Sequence, residues 1–469
     1  MLSGQTFVVI GLGKSGIGAA KLLLRRGARV VALDENAAAT PPVLSGVEGR
    51  FELKAGPVPA QFWKGATAVV VSPGVPLSKP ELVAAKASGV PVYGEIELAY
   101  RTMPKGAGPL LGITGTNGKS TTTALLGELV KHHVPRTFVG GNLGTAFTLA
   151  YESPEEPPYE QHVIELSSFQ LEGVKDARFK VAAILNLTAD HIDRYANQDA
   201  YGLAKARIFE GQQAGDFAVV NADDPEVVKL SRLSKVPVYA FTLDGARTNP
   251  GFTGLAVGAK EKFIFTFGTP TVFTVTNRAL RGAHNLQNAM AASLMARLAG
   301  IPDAAIQKGL DSFPGLAHRL EFVRERGGVE WINDSKATNV DSSLVAMKAL
   351  KGNVVLIAGG KGKGAPYEPL VEAARGKVKA VLTIGKDAPL IAAAFAGVCP
   401  IHDCGTIEKA VAQAAEISTR GDTVLLSPAC ASYDQFKHFE HRGDVFKTLV
   451  NALPLPEGER VGERAVSHD

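Results

Sequence analysis

The sequence predicts an α/β protein of three consecutive units, each a mainly parallel sheet with helices between its strands. Three observations carry that expectation. Short apolar, β-branched runs ("FVVIG", "VVALD", "ATAVVVSPG") alternate with amphipathic stretches (residues 15 to 26, "KPELVAAKASG"), the punctuation of βαβ crossovers. Two glycine-rich loops, around residues 11 to 16 and 115 to 118, each follow such a run and precede a helical stretch. The Gly/Pro-rich segment "RTMPKGAGP" and the later "SFPGLAHR" break the pattern, giving boundaries at 1–101, 102–314 and 315–469.

The first unit reads as Rossmann-like and the second as a P-loop ATPase-type sheet. The second also carries an acidic surface loop, "YESPEEPPYE", and a small hairpin-type β insertion, "KFIFTFGTPTVFTV". The third unit, again Rossmann-like, has strands in "VEWINDS", "NVVLIAGG", "AVLTIG" and "DTVLLSP", and its tail frays from about residue 453. With 469 residues and 45% apolar composition, each unit has enough material for a core. Lys and Arg (50) barely exceed Asp and Glu (46), without a long basic run, so no nucleic-acid partner is expected. Cys399, Cys404 and Cys430 lack a disulfide or metal spacing, which favours a reducing compartment. Neither a leader pattern nor an apolar run of about 18 residues occurs, so the chain is expected to be cytoplasmic and not membrane-inserted.

Gly11, Gly13 and Gly16 let the backbone turn tightly and approach a diphosphate at a helix amino end. Asp34 lies near the spacing of an acid that binds a nicotinamide-cofactor ribose, so an NAD-dependent oxidoreductase is a live alternative, and plain helix–strand packing is the bland one. In "LLGITGTNGKSTTTALLGELV" the spacing departs from the standard phosphate loop, with Ile113 where the first glycine would stand. The mechanism survives: backbone N–H groups cradle phosphates, Lys119 reaches the β and γ oxygens, and Ser120 offers a hydroxyl to Mg²⁺.

Glu165 ends the strand in "HVIELSSFQ", at the edge where open parallel sheets bind ligands, and suits a further Mg²⁺ contact. His191 in "ILNLTADHIDR" and Lys205 in "NQDAYGLAKARIFEG" read, taken alone, as ordinary structural residues. Three polar loops follow strands of the third unit: "NDSKATN" with Asp334, Ser335, Lys336, Thr338 and Asn339; "GGKGKG" with Lys361 and Lys363; and "SPACASYDQF" with Ser427, Ser432 and Tyr433. Together they suit a small anionic substrate.

The ordered set "GITGTNGKSTT", "ELSSFQLE", "NLTADHIDRY", "RGAHNLQNAMAA", "GLAHRLE", "NDSKATN" and "SPACASYDQF" resembles the Mur ligases, from about residue 8 to about 446. "GLGKSG", "SPGV" and "SPACASYDQF" resemble the members that add D-glutamate, rather than those adding other amino acids or folylpolyglutamate synthase. The resemblance implies ATP-dependent ligation of D-glutamate to UDP-N-acetylmuramoyl-L-alanine through an acyl phosphate, in peptidoglycan precursor synthesis, by a monomer. It implies that the first glycine loop holds the UDP-sugar and the second holds ATP. By the same resemblance Ser15, Gly16, Asp34, Ser72 and Asn142 contact the UDP-sugar. Thr116, Asn117, Gly118, Lys119, Ser120, Thr121, Thr122, Asn288, Arg319 and Asp334 serve ATP. Ser120, Glu165, His191 and Lys205 hold two Mg²⁺ ions, with CO₂ bound as a carbamate on Lys205, and Lys119 acts with them in catalysis. Lys336, Thr338, Lys363, Ser432, Tyr433 and Phe439 surround D-glutamate. Lys361 stands where the family often has Asp, and Tyr433 where it has Leu or Phe. A nucleotide-binding subunit without catalysis is the remaining alternative class.

Overall fold

A computed structural model of the chain describes residues 2–35, 49–54, 60–151, 157–188, 194–245 and 251–454. The chain divides into two compact units, residues 1–313 and 314–469.

The first unit holds two sheets. In the N-terminal one, β1 (Thr6–Ile10), β2 (Arg29–Leu33), β3 (Phe51–Lys54), β4 (Ala68–Val71) and β5 (Val92–Gly94) lie parallel in the order β3-β2-β1-β4-β5. Helices cover both faces, which explains why β1 and β4 are continuous apolar runs without alternation. The direction of strand addition reverses beside β1, so the loops after β1 and β4 flank the crevice where such sheets bind ligands.

The second sheet comprises β6 (Leu110–Thr114), β7 (Thr137–Gly141), β8 (Gln161–Glu165), β9 (Phe179–Ile184), β10 (Phe217–Asn221), β11 (Val238–Thr242), β12 (Gly254–Ala259), β13 (Lys262–Phe265) and β14 (Val272–Thr274). Their order is β14-β13-β12-β11-β10-β9-β6-β8-β7. The expected hairpin is present, and it extends this sheet's edge antiparallel to β12. Phe263, Phe265 and Phe273 turn inward, with Phe263 and Phe273 stacked at 5.0 Å, while Lys262 and Ile264 face solvent. Strand β6 sits between β8 and β9, and its carboxyl end is the reversal point of this sheet.

Close backbone approach and buried carboxylates join the two sheets of this unit. Gly94 N–H donates to the Gly173 carbonyl at 2.8 Å, and a Cβ on Gly173 would fall 2.7 Å from the Gly94 Cα. Glu97, on the helix Glu95–Arg101, is fully buried, and its carboxylate accepts from the backbone N–H groups of Lys175, Asp176 and Ala177 and from Arg101 Nε. Those charge-assisted bonds offset its desolvation.

The second unit has one sheet: β15 (Glu321–Arg326), β16 (Val329–Asn333), β17 (Val354–Gly359), β18 (Val378–Ile384), β19 (Ile401–Gly405) and β20 (Thr423–Leu426), in the order β15-β16-β20-β17-β18-β19. The four strands named from the sequence form its interior. The two edges, β15 and β19, were not anticipated, because half-exposed "EFVRER" and "IHDCG" lack an apolar run. The last helix, Phe439–Ala452, ends at the expected start of the tail, and residues 455–469 lie outside the described residues. The three cysteines are free thiols. Among the described residues no helix is long and apolar enough to cross a membrane.

Candidate active site

Each reversal point of the first unit carries a glycine loop that opens a helix, and neither helix has a side-chain cap. The helix Lys14–Arg25 starts from Gly13 and the helix Lys119–Lys131 from Gly118, whereas nearby helices are capped by Ser167, Asn197 and Asp224. Glycine in the capping place leaves the first-turn N–H groups available to an anion.

In the first loop, Gly11 adopts φ +84°, and a Cβ on Gly16 would fall 1.9 Å from the Gly11 carbonyl oxygen. Substitution is excluded by the approach itself. Asp34, at the end of β2, accepts the Leu12 N–H at 2.6 Å and so fixes the loop's shape. Ser72, buried at the end of β4, packs against the same turn: a Cβ on Gly13 would lie 3.6 Å from its hydroxyl. Ser15 and Gly16 lie in the helix's first turn. Four of the five residues expected at the UDP-sugar thus gather here.

Asn142, the fifth, sits at the second loop instead, where its Nδ2 donates to Glu165 Oε1 at 2.7 Å. Glu165 is 1% exposed, and its other oxygen, Oε2, is buried with no hydrogen-bond partner among the described residues. An orphaned carboxylate oxygen at a strand end, beside a phosphate-type loop, is the donor a hard cation such as Mg²⁺ requires. Among the described residues no three His, Cys, Asp or Glu side chains gather as a metal cluster. The expected donor set needs none, since it draws on a serine hydroxyl and a modified lysine. His191, its remaining member, lies outside the described residues.

The second loop is held open by long-range bonds. Asn186 Oδ1 accepts from Asn117 N–H at 2.7 Å and from Thr116 N–H at 3.1 Å, and Asn186 Nδ2 returns a bond to the Asn117 carbonyl. Gly118, at φ +80°, faces Asn288, whose Oδ1 would meet a Cβ there at 2.4 Å. Asn288 also accepts from the Thr122 hydroxyl at 3.2 Å. Ser120 and Thr121 occupy the helix's first turn. Lys119 Nζ folds over the loop, donating to the carbonyls of Gly115 at 2.9 Å and Thr116 at 2.8 Å. Lys205 is 1% exposed, lies 4.5 Å from the Tyr201 ring centre and donates to that same Gly115 carbonyl at 2.8 Å.

In the second unit, the loops after β16, β17 and β20 emerge side by side, because those strands are neighbours. Lys361 and Ala431 exchange backbone bonds of 2.8 and 3.0 Å, which zips "GGKGKG" to "ACAS". Lys363 stands exposed just beyond, Ser432 is buried and Tyr433 is 72% exposed. Lys336 lies 5.9 Å from the Phe439 ring centre, and Thr338 is half-buried two residues on. Asp334 is buried, accepts from Ser427 Oγ at 2.8 Å and Leu320 N–H at 3.2 Å, and burial pushes its carboxyl up to about 7. Arg319 is exposed on the preceding turn.

Sequence reasoning missed Asn186 and also Arg442. The Arg442 guanidinium, buried and thereby lowered to about 10, donates to Ser335 and to the Cys430 carbonyl, tying two of the three loops together. One arginine on an amphipathic helix, "FEHRGDVF", carries no local sign of such a role.

Three stretches of the chain match known domain families. Residues 5–94 match the model of the Mur ligase MurD-like N-terminal domain, 113–296 the Mur ligase middle domain, and 318–430 the Mur ligase glutamate ligase domain. The UDP-N-acetylmuramoylalanine–D-glutamate ligase of Myxococcus xanthus is 58% identical over 96% of this chain and 99% of its own; that of Anaeromyxobacter dehalogenans is 49% identical over 96% and 98%. Among solved structures, MurF of Acinetobacter baumannii shares the fold at a TM-score of 0.60 and 17% identity, covering 95% of this chain and 93% of that one. MurF ligase of Thermotoga maritima, solved with ADP, does so at 0.59 and 18%, covering 96% and 95%.

Proposed function

The chain belongs to the Mur ligase family, and from that premise we propose that it joins D-glutamate to UDP-N-acetylmuramoyl-L-alanine with ATP as the energy source. The observation that carries this reading is the presence of two separately built anion loops, at Gly11–Gly16 and Gly115–Gly118, in one compact unit. An oxidoreductase needs the first loop and has no use for the second. A ligase of this kind needs both, one for each nucleotide.

Condensing a carboxylate with an amine is uphill in water, so the carboxylate must first be activated. The L-alanyl carboxylate attacks the γ-phosphorus of ATP, ADP leaves, and the resulting acyl phosphate is attacked by the amine of D-glutamate. Phosphate then departs from the tetrahedral intermediate and the amine loses its proton. The first-turn N–H groups after Gly118 and the Lys119 ammonium receive charge that spreads over the phosphoryl oxygens. Thr116, Asn117, Thr121, Thr122, Asn288, Arg319 and Asp334 complete the ATP contacts, and Ser15, Asp34 and Ser72 hold the UDP-sugar. Asn142, bonded to Glu165, stands between these two roles. Lys336, Thr338, Lys363, Ser432, Tyr433 and Phe439 receive D-glutamate.

Bound Mg²⁺ supplies Lewis-acid neutralisation of the phosphates. Ser120, Glu165, His191 and a carbamylated Lys205 are the residues that would hold two ions. The division of labour follows the sequence boundaries, with UDP-sugar, ATP and amino acid assigned to residues 1–101, 102–314 and 315–469. We read the protein as a cytoplasmic monomer.

Phosphate release from ATP tests the assignment, measured with UDP-N-acetylmuramoyl-L-alanine and a panel of amino acids. Release is expected with D-glutamate and not with L-glutamate, and Lys119→Ala is expected to abolish it. Equal release with other amino acids would redirect the reading to another amide ligase of the family.

A further inference from the structure

Arg194, in the connection between β9 and the helix Gln198–Ala206, reaches the loop that follows β4 in the first sheet. Its Nη1 donates to the Pro73 carbonyl at 3.1 Å and its Nη2 to Glu172 Oε2 at 2.7 Å, while the guanidinium lies 4.2 Å from the Phe169 ring centre. Arg194 and Glu172 side chains are only 16% and 18% exposed, so this is a shielded pair rather than a rim contact. Tyr195 completes the arrangement from below: its hydroxyl donates to Glu172 Oε1 at 2.6 Å and its ring stacks on Phe169 at 5.9 Å.

Pro73 directly follows Ser72, which packs against the glycine turn at Gly11. Among the described residues, the other hydrogen bonds between the two sheets' sides, at Gly94, Glu95, Glu97 and Arg101, start from the end of β5 or the helix after it, while the helix Lys14–Arg25 packs on Phe147–Tyr151. Arg194 holds the glycine-loop side. The same cluster continues to the ATP loop: Tyr195 lies 5.3 Å from Tyr201, whose hydroxyl is 3.4 Å from the Thr116 hydroxyl and whose ring carries Lys205.

We propose that Arg194 is a positioning residue for the UDP-sugar, setting the Ser72–Pro73 loop through the Pro73 carbonyl while Glu172, Phe169 and Tyr195 fix its fork. This rests on the reading above that the Ser72 loop takes the UDP-sugar. The planar fork makes two bonds in fixed directions and stacks on a ring, which an ammonium on a flexible stem does not reproduce. Lysine is therefore a poor substitute despite its charge.

The test is steady-state kinetics on the full-length enzyme with Arg194→Lys, Arg194→Gln and Tyr195→Phe. Wild-type turnover with both substrates first checks the functional reading, independently of the variants. Both Arg194 variants are expected to raise the KM for the UDP-sugar about tenfold and leave the KM for ATP within about twofold. Tyr195→Phe, which keeps the ring and loses one bond to Glu172, is expected to raise the UDP-sugar KM about threefold. A purely structural role would lower kcat and move both KM values together. If the variants match wild type in KM for the UDP-sugar, or if the ATP KM rises equally, the inference is overturned. Should either Arg194 variant fail to fold, the other and Tyr195→Phe are scored by the same two KM values.

Discussion

Lys119 and Lys205 donate to one carbonyl oxygen, that of Gly115, at 2.9 and 2.8 Å. Two ammonium groups on a single acceptor repel each other, and Lys205 is almost wholly withdrawn from water, so screening is weak. Addition of CO₂ to the Lys205 amine reverses the sign of one partner and turns the contact attractive. It also produces an anionic oxygen donor suited to Mg²⁺. Lys205→Arg keeps a positive charge yet cannot form this carbamate, so it is expected to be as inactive as Lys205→Ala. Removing CO₂ from the buffer should lower wild-type activity reversibly. An active arginine variant would contradict the carbamate.

The first glycine loop gives a separate outcome. Asp34 holds the Leu12 N–H and Ser72 packs on the same turn, so Asp34→Ala and Ser72→Ala are expected to raise the KM for the UDP-sugar. Loss of one charge-assisted bond corresponds to about tenfold. Initial rates at varied ATP supply the control, because an equal rise in the ATP KM would mean that the two loops do not bind different nucleotides.

Glu95 connects pH to stability. It is 2% exposed; its Oε1 accepts from the Thr148 N–H and hydroxyl, Oε2 has no hydrogen-bond partner within bonding geometry among the described residues, and burial pushes the carboxyl up to about 7. Between its ordinary value near 4.5 and 7, the folded protein keeps a proton that the unfolded chain releases. Stability from this group therefore falls as pH rises through that window, by at most about 3 kcal/mol. Glu95→Gln lacks the titration. Its unfolding midpoint, compared with wild type, should rise between pH 5 and pH 8, and a difference independent of pH would refute the account.

In the amino-acid loops, Lys361 is fixed through its backbone to Ala431, and Lys363 is free to extend from the turn beyond. Lys363→Ala is accordingly expected to raise the KM for D-glutamate by about tenfold or more, with little change for ATP. If Lys361→Ala produces that effect and Lys363→Ala does not, the carboxylate contact lies at the residue where this chain departs from the family pattern.

Much of this architecture was legible because strand-end loops advertise themselves locally. Gly11, Gly13 and Gly16, Lys119 and Glu165 each stand at an apolar run's end, and the folded chain puts them at the two reversal points. What escaped depends on distant partners. Asn186 orders a loop 69 residues earlier, Glu97 is satisfied by backbone 78 to 80 residues later, and Arg194 meets a carbonyl 121 residues before it. Nothing in their immediate sequence encodes those meetings. The edge strands β15 and β19 escaped for a different reason, since a half-wet strand needs no apolar run.

The path of one oxygen atom tests the central claim most directly. UDP-N-acetylmuramoyl-L-alanine labelled with ¹⁸O in its terminal carboxylate, incubated with ATP and D-glutamate, should yield inorganic phosphate carrying a single ¹⁸O derived from that carboxylate. Activation of the carboxylate by the γ-phosphoryl group requires the transfer. Ligated product accompanied by unlabelled phosphate would contradict the acyl-phosphate route, and absence of product and phosphate would contradict the function itself.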